Sequence, residues 1–234
     1  RIGSAFHALT LEPDLFENEY IYKPDILNAR SKDGKEWKAR QEEAGKTVLS
    51  AEDRKQLEGM AKAIDDCAPA KKLLDATGKA EQSFLWTDKD TGLGCKCRPD
   101  YLLIDGGTIV DVKTTVDASY RGFLKSISNF RYHVQAGWYL HGLEQATGIR
   151  PERFIFVAVE KTAPYGVGVY EADTLMVVNG YDTAREDLAK IAKWKEEDHY
   201  PSYCDDIQQI TLPPWMIKNK ANAVSLQLPD IELF

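Results

Sequence analysis

Residues 94–115 read GCKCRPDYLLIDGGTIVDVKTT, and their pattern decides the fold. Two apolar runs flank Gly106-Gly107, which predicts a hairpin of strands over 94–104 and 108–113. Side chains alternate along a strand, so Asp111 and Lys113 share a face. The turn then brings Asp100 back beside them on the neighbouring strand. Two converging carboxylates repel each other unless a cation stands between them. Mg2+ suits such a pair, because it takes oxygen ligands and keeps several waters. The Val112 carbonyl could add a further ligand, and Lys113 could orient a water and stabilise its deprotonated form. A plainer reading is a half-exposed strand pair with one salt bridge from Lys113 to a carboxylate. This stretch alone leaves both readings open.

Upstream, small and apolar residues at helical spacing run from Gly3 to about Leu11, with His7 among them, and Pro13 closes that helix. Residues 17–49 are polar and charge-rich, which predicts a loop or irregular insertion. Ser50-Ala51-Glu52-Asp53 reads as a capping box. Leu57, Met60, Ala61 and Ile64 then mark an amphipathic helix. A strand is expected over 81–87, opened by Glu81, with a turn over 88–92. Downstream, the pattern predicts helices over 118–126 and 131–146, the second ended by Gly148 and Pro151. Strands over 153–160 and 166–170 follow, separated by a turn at Pro164. A helix over 174–197 places Leu175, Val178, Tyr181, Leu188, Ile191 and Trp194 on one stripe. This order predicts an α/β fold, a mixed central sheet flanked by helices. A single domain over 1–203 and an irregular tail over 204–234 are expected.

The chain has 234 residues, 43% hydrophobic and 29% charged, with a mean hydropathy of −0.42, which is ordinary for a globular protein. No apolar run approaches the ~20 residues of a membrane helix. Four cysteines (Cys67, Cys95, Cys97, Cys204) are too few for a disulfide framework, and their spacing is not that of a metal cluster. Reduced thiols and a cytoplasmic setting are expected. The opening residues read as the middle of a structured segment, so residues of a parent protein are expected upstream. The net charge is −7, yet 171–206 alone carries ten acidic and four basic residues. Residues 113–133 instead hold Lys113, Arg121, Lys125 and Arg131 against the single acid Asp117, a basic stripe that could meet nucleic acid.

Gln135 and Tyr139 lie four residues apart on a predicted helix and so point the same way. Taken singly, they read as a core helix with a satisfied glutamine, and His7 as a core histidine. Taken together, the order His7, Pro99-Asp100, Asp111-Val112-Lys113, Gln135…Tyr139 resembles the RecB-type branch of the PD-(D/E)xK nuclease superfamily. GSAFHALTLEP, GCKCRPDYL, VDVKTT, RYHVQAGWY and FVAVEKTAPYGVGVY are further similar to the RecE-type nuclease domains of that branch.

The resemblance implies a PD-(D/E)xK restriction-endonuclease-like core. It also implies a Mg2+-dependent exonuclease that digests the 5′ strand of linear double-stranded DNA and leaves 3′ overhangs for recombination. The implied partners are double-stranded DNA ends and a RecT-type single-strand annealing protein, with the chain as a homotetrameric ring and no membrane. By motif, His7, Asp100, Asp111 and Val112 would ligate metal, Lys113 would be the catalytic lysine, and Gln135 and Tyr139 would support the site. Glu81 could reach it from the preceding strand. An imidazole ligand predicts that Mn2+ substitutes for Mg2+. Arg98, Arg121, Lys125 and Arg131 are candidate phosphate contacts. The cysteine clusters of iron–sulfur relatives are missing from the motif set, so no iron–sulfur cluster is expected. Glu160 has no role by sequence, and QLPDIELF at 227–234 reads as a tail with a faint likeness to sliding-clamp-binding peptides. Other polarities, single-strand preference and a catalytically silent DNA-end-binding module remain open as alternatives.

Overall fold

The computed structural model describes residues 2–104 and 107–216. Helix α1 (Ile2–Leu11) carries His7. Pro13, expected to end the first helix, also starts α2 (Pro13–Glu19), since a proline in a first turn gives up only an N–H that has no helical partner. The expected insertion 17–49 is more regular than its composition suggests. It holds β1 (Tyr20–Tyr22), α3 (Lys32–Glu43) and β2 (Thr47–Leu49), and β1 pairs with β2 in parallel. Helix α4 (Ala51–Asp66) begins on the anticipated capping box: Ser50 Oγ accepts the Asp53 N–H and the Asp53 carboxylate accepts the Ser50 N–H. Leu57, Met60 and Ile64 of α4 are buried, as its apolar spacing requires.

Helix α5 (Ala68–Leu74) leads to β3 (Gly78–Ala80), β4 (Phe84–Thr87), β5 (Gly94–Cys97), β6 (Tyr101–Leu103) and β7 (Thr108–Thr115). The run 94–104 is thus two strands in two sheets. Pro99, with no N–H to donate, sits at the break. β5 pairs with β4 as a separate hairpin, whereas β6 joins the main sheet. Glu81 does not open β4; it stands just past β3 at φ 49, its N–H bonded to the Asp100 carbonyl. Gly106, one of the two glycines of the expected turn, lies with Asp105 outside the described residues.

Helices α6 (Tyr120–Phe130) and α7 (Tyr132–Thr147) follow, and Gly148 closes α7 at φ 76. Then come β8 (Arg153–Glu160), β9 (Val167–Glu171) and α8 (Thr174–Glu196). The five-stranded sheet has the order β3-β6-β7-β8-β9, with β7 and β8 parallel and the other neighbours antiparallel. Alternation along β7 and β8 gives the sheet two apolar faces. Val110, Val112, Val157 and Val159 pack with Ala5, Phe6, Leu57 and Met60 of α1 and α4. Ile109, Phe154, Phe156 and Ala158 pack with Phe123, Ala136 and Leu140 of α6 and α7.

The apolar stripe expected on α8 matches its buried face only in part: Leu188 is buried and Tyr181 and Trp194 are half-buried, but Leu175, Val178 and Ile191 are exposed, and Gly180 and Ala184, outside the stripe, are buried. Two glycines make the contact with α7. A Cβ on Gly137 would collide with the backbone of Val177 and Tyr181, and one on Gly180 with the His133 carbonyl. Sheet and helices form the compact unit Arg1–Ala192. Residues 197–216 are irregular apart from a single 3-10 turn at Pro214–Met216, and QLPDIELF lies outside the described residues.

Candidate active site

β6 is three residues long and β7 is eight, and this mismatch creates the site. Their register pairs Tyr101 with Val110 and Leu102 with Ile109, so one further step sets Asp100 across from Asp111. Past Val110, β7 has no β6 backbone beside it. The Val112 N–H still needs an acceptor, and Asp100 Oδ2 takes it at 2.8 Å. Along this open edge α1 delivers His7, whose Nδ1 is 3.6 Å from Asp100 Oδ2 and 3.8 Å from Glu81 Oε1. One donor atom from each of His7, Glu81 and Asp100 lies within 4.8 Å of the other two. The Val112 carbonyl is within hydrogen-bonding reach of the imidazole. The set of one imidazole and two carboxylates fits a divalent cation of the Mg2+ or Mn2+ class.

The second half of the site is on the α7 side. Asp111 is fully buried; its Oδ2 accepts from Gln135 Nε2 at 2.6 Å, and its Oδ1 faces the Lys113 ammonium as an ion pair. Gln135 and Tyr139 share one face of α7. Asp111 and Lys113 meet because strand alternation puts them on one face of β7, the face that α7 covers.

Charge is crowded here. Burial, followed by repulsion from Asp111, raises the Asp100 pKa well above the carboxylate range, against the pull of Lys113 and the Val112 N–H. Burial alone would lower the Lys113 pKa, but Asp111 and Asp100 outweigh it and keep the ammonium charged. Burial and then Lys113 lower the His7 pKa, which favours the neutral imidazole that a metal requires. Together these shifts leave a charged ammonium and a neutral imidazole on either side of a crowded carboxylate pair.

Of the candidate phosphate contacts, Arg98 is mostly exposed but bonds Glu81, Nε to Oε2 2.9 Å, and so belongs to the cluster itself. Arg121 and Lys125 are exposed on α6. Arg131, between α6 and α7, pairs with Asp187 at 2.5 Å. A cleft of about 430 Å3 opens onto His7, Glu81 and Arg98, with Glu12 and Glu19 on its wall. Sequence reasoning missed Tyr132, whose ring centroid is 5.0 Å from Lys113 Nζ; its place at the start of α7 was the only available signal. Glu160 has a structural role: its Oε1 accepts the Ala118 N–H at 3.0 Å and ties the β7–α6 loop to the end of β8.

A family model described as a PDDEXK-like domain of unknown function (DUF3799) matches residues 1–213. No functionally curated protein matches the chain. Among solved structures, a protein from Eubacterium rectale called "Putative exonuclease" superposes with a TM-score of 0.54 at 14% identity, covering 83% of this chain and 74% of that one. At that identity the likeness establishes shared fold. SSO0001 matches with a TM-score of 0.31 at 16% identity over 78% of this chain and 84% of its own, too weak to carry an argument.

Proposed function

The chain belongs to the PDDEXK-like domain family of DUF3799, and from that premise we propose that it is a divalent-metal-dependent nuclease. The observation that carries the reading is the convergence of His7, Glu81 and Asp100 beside the Asp111–Lys113 pair. A divalent cation held by His7, Glu81, Asp100 and, on rearrangement, Asp111 or the Val112 carbonyl would supply Lewis-acid stabilisation of charge on the attacked phosphate. Lys113, held charged by its carboxylate neighbours, would offset negative charge on the attacking oxygen and the phosphate. Gln135 fixes the orientation of Asp111, and Tyr139 stands on the same face of α7.

The finer proposal is a Mg2+-dependent 5′–3′ exonuclease on linear double-stranded DNA that leaves 3′ overhangs. It would act as a homotetrameric ring in cytoplasmic recombination with a RecT-type annealing partner. The RecE-type motif order supports it, as do exposed Arg121 and Lys125 on α6, just downstream of β7. The test is digestion of a linear duplex labelled at either the 5′ or the 3′ end, in Mg2+ and in EDTA, beside a closed circle. Metal-dependent release of the 5′ label with the circle intact is the expected result. Cutting of the circle replaces the exonuclease with an endonuclease, and no cutting in Mg2+ or Mn2+ removes the nuclease.

A further inference from the structure

Helix α6 ends at Phe130 and α7 begins at Tyr132, with Arg131 between them at φ 56. This sharp reversal places Tyr132 beside Lys113 and stacks Phe130 on Tyr132. Tyr132 is 5.0 Å from Lys113 Nζ, and Phe130 stacks on Tyr132 with centroids 5.6 Å apart and planes 27° apart. Tyr132 is held by buried Phe123 and Phe156, at 6.0 and 6.1 Å. The stack therefore rests on the core at one end, and at the other Phe130 is 67% exposed.

We propose that Phe130 is a stacking platform for an unpaired nucleobase of the strand whose phosphate enters the Lys113 site. The assignment rests on the nuclease reading above and deepens it. Two features favour a base as the occupant. The two ring steps from Lys113 are comparable to a few nucleotides of strand, at about 3.4 Å of axis each. A ring already held by Tyr132 loses little freedom on stacking, and every base offers it a π-face. Only an unstacked base can use the platform, and unstacked bases occur at frayed ends and in single strands. Phe130 thereby favours ends over duplex interior.

The experiment compares wild type with Phe130→Ala, Phe130→Leu and Phe130→Trp on linear duplexes with blunt or frayed ends, each carrying 2-aminopurine at a terminal nucleotide. Phe130 contributes little to the core, so its variants fold. Phe130→Ala should raise KM on frayed ends about tenfold, with kcat within about threefold, and abolish the preference for frayed over blunt ends. The 2-aminopurine emission quenched on wild type should stay bright on this variant. Phe130→Trp should restore both readouts and Phe130→Leu neither. Equal performance of Leu and Trp overturns the proposal, as does unchanged quenching in Phe130→Ala. So does an altered oligomeric state with KM per site unchanged, which would assign the ring to contact with a second copy. If wild type cuts no DNA, the nuclease reading fails by itself; the 2-aminopurine titration then decides, with Phe130-dependent quenching supporting the platform and absence of binding overturning it.

Discussion

Asn at 111 removes one of two repelling carboxylates, whereas Ala at 113 removes the cation that serves both. The two substitutions should therefore separate catalysis from stability in opposite ways. Asp111→Asn relieves Asp100 of its charged neighbour and keeps an oxygen for Gln135 Nε2. It should abolish metal-dependent cleavage while the melting temperature holds or rises. Lys113→Ala leaves two buried carboxylates facing each other. It should lower turnover at least about 100-fold and shift DNA affinity less than about threefold. Without metal it should also lose about 3 kcal/mol of stability, part of which Mg2+ restores by taking the place of the ammonium. Thermal melts in EDTA and in Mg2+, beside single-turnover rates, check both. A destabilised Asp111→Asn, or a Lys113→Ala indifferent to Mg2+, would mean that the two carboxylates do not share their charge as described.

Among the elements, α7 and α8 approach closely because neither has a side chain at the crossing. At Gly180 a methyl group would meet the fixed His133 carbonyl, so Gly180→Ala should cost about 3 kcal/mol in urea unfolding. Gly148→Ala, in open space at φ 76, should cost only about 1 kcal/mol of backbone strain. Equal losses would refute the close approach. This contact also shows where the sequence misleads. The stripe from Leu175 to Trp194 has the right period, but hydrophobic periodicity gives no weight to glycine, and glycine marks the buried face. Residues 17–49 were illegible for a related reason, since strands of three residues, such as β1 and β2, are too short for alternation to show. The 94–104 run hid its break because Cys95, Cys97, Tyr101 and Leu103 alternate straight through Pro99. By contrast α4, β8 and β9 were legible from cap and pattern. Of the site, the shared face of Asp111 and Lys113 follows from the strand period alone, and that of Gln135 and Tyr139 from the helix period. The meeting of His7 with Glu81 does not, because it depends on how α1 and β3 dock on the sheet.

Over the whole unit, the β4–β5 hairpin lies outside the main sheet and is fastened at two places. Its inner face packs on α7, with Trp86 and Cys97 over Gly142 and the Trp86 and Trp138 rings 5.0 Å apart. Its turn is tied to α8, where Arg185 pairs with Asp88 and bonds Asp90 at 2.6 Å, and Asp88 also accepts from the Thr91 N–H and hydroxyl. Burial would raise the Asp88 pKa, but Arg185 and Thr91 more than offset it and bring it down to about 2. A carboxylate whose folded pKa lies below its unfolded value of 3.8 stabilises the fold above that value, and the gain is lost as pH falls toward 2. Its contribution at neutral pH is about 2 kcal/mol, roughly half of it gone by pH 3. Asp100 acts in the opposite sense. Its raised pKa makes the charged form a burden on the fold, relieved as pH drops through the folded value. The difference in unfolding free energy between wild type and Asp88→Asn cancels that background, because Asp100 is common to both. In urea titrations this difference should be largest at pH 6 and about halved at pH 3. A difference independent of pH would mean that Asp88 holds the hairpin turn through its neutral hydrogen bonds to Thr91 and not through Arg185. α8 would then keep only the Arg185 pair with exposed Asp90 as its electrostatic hold on the hairpin that packs against α7, the helix that orients Asp111.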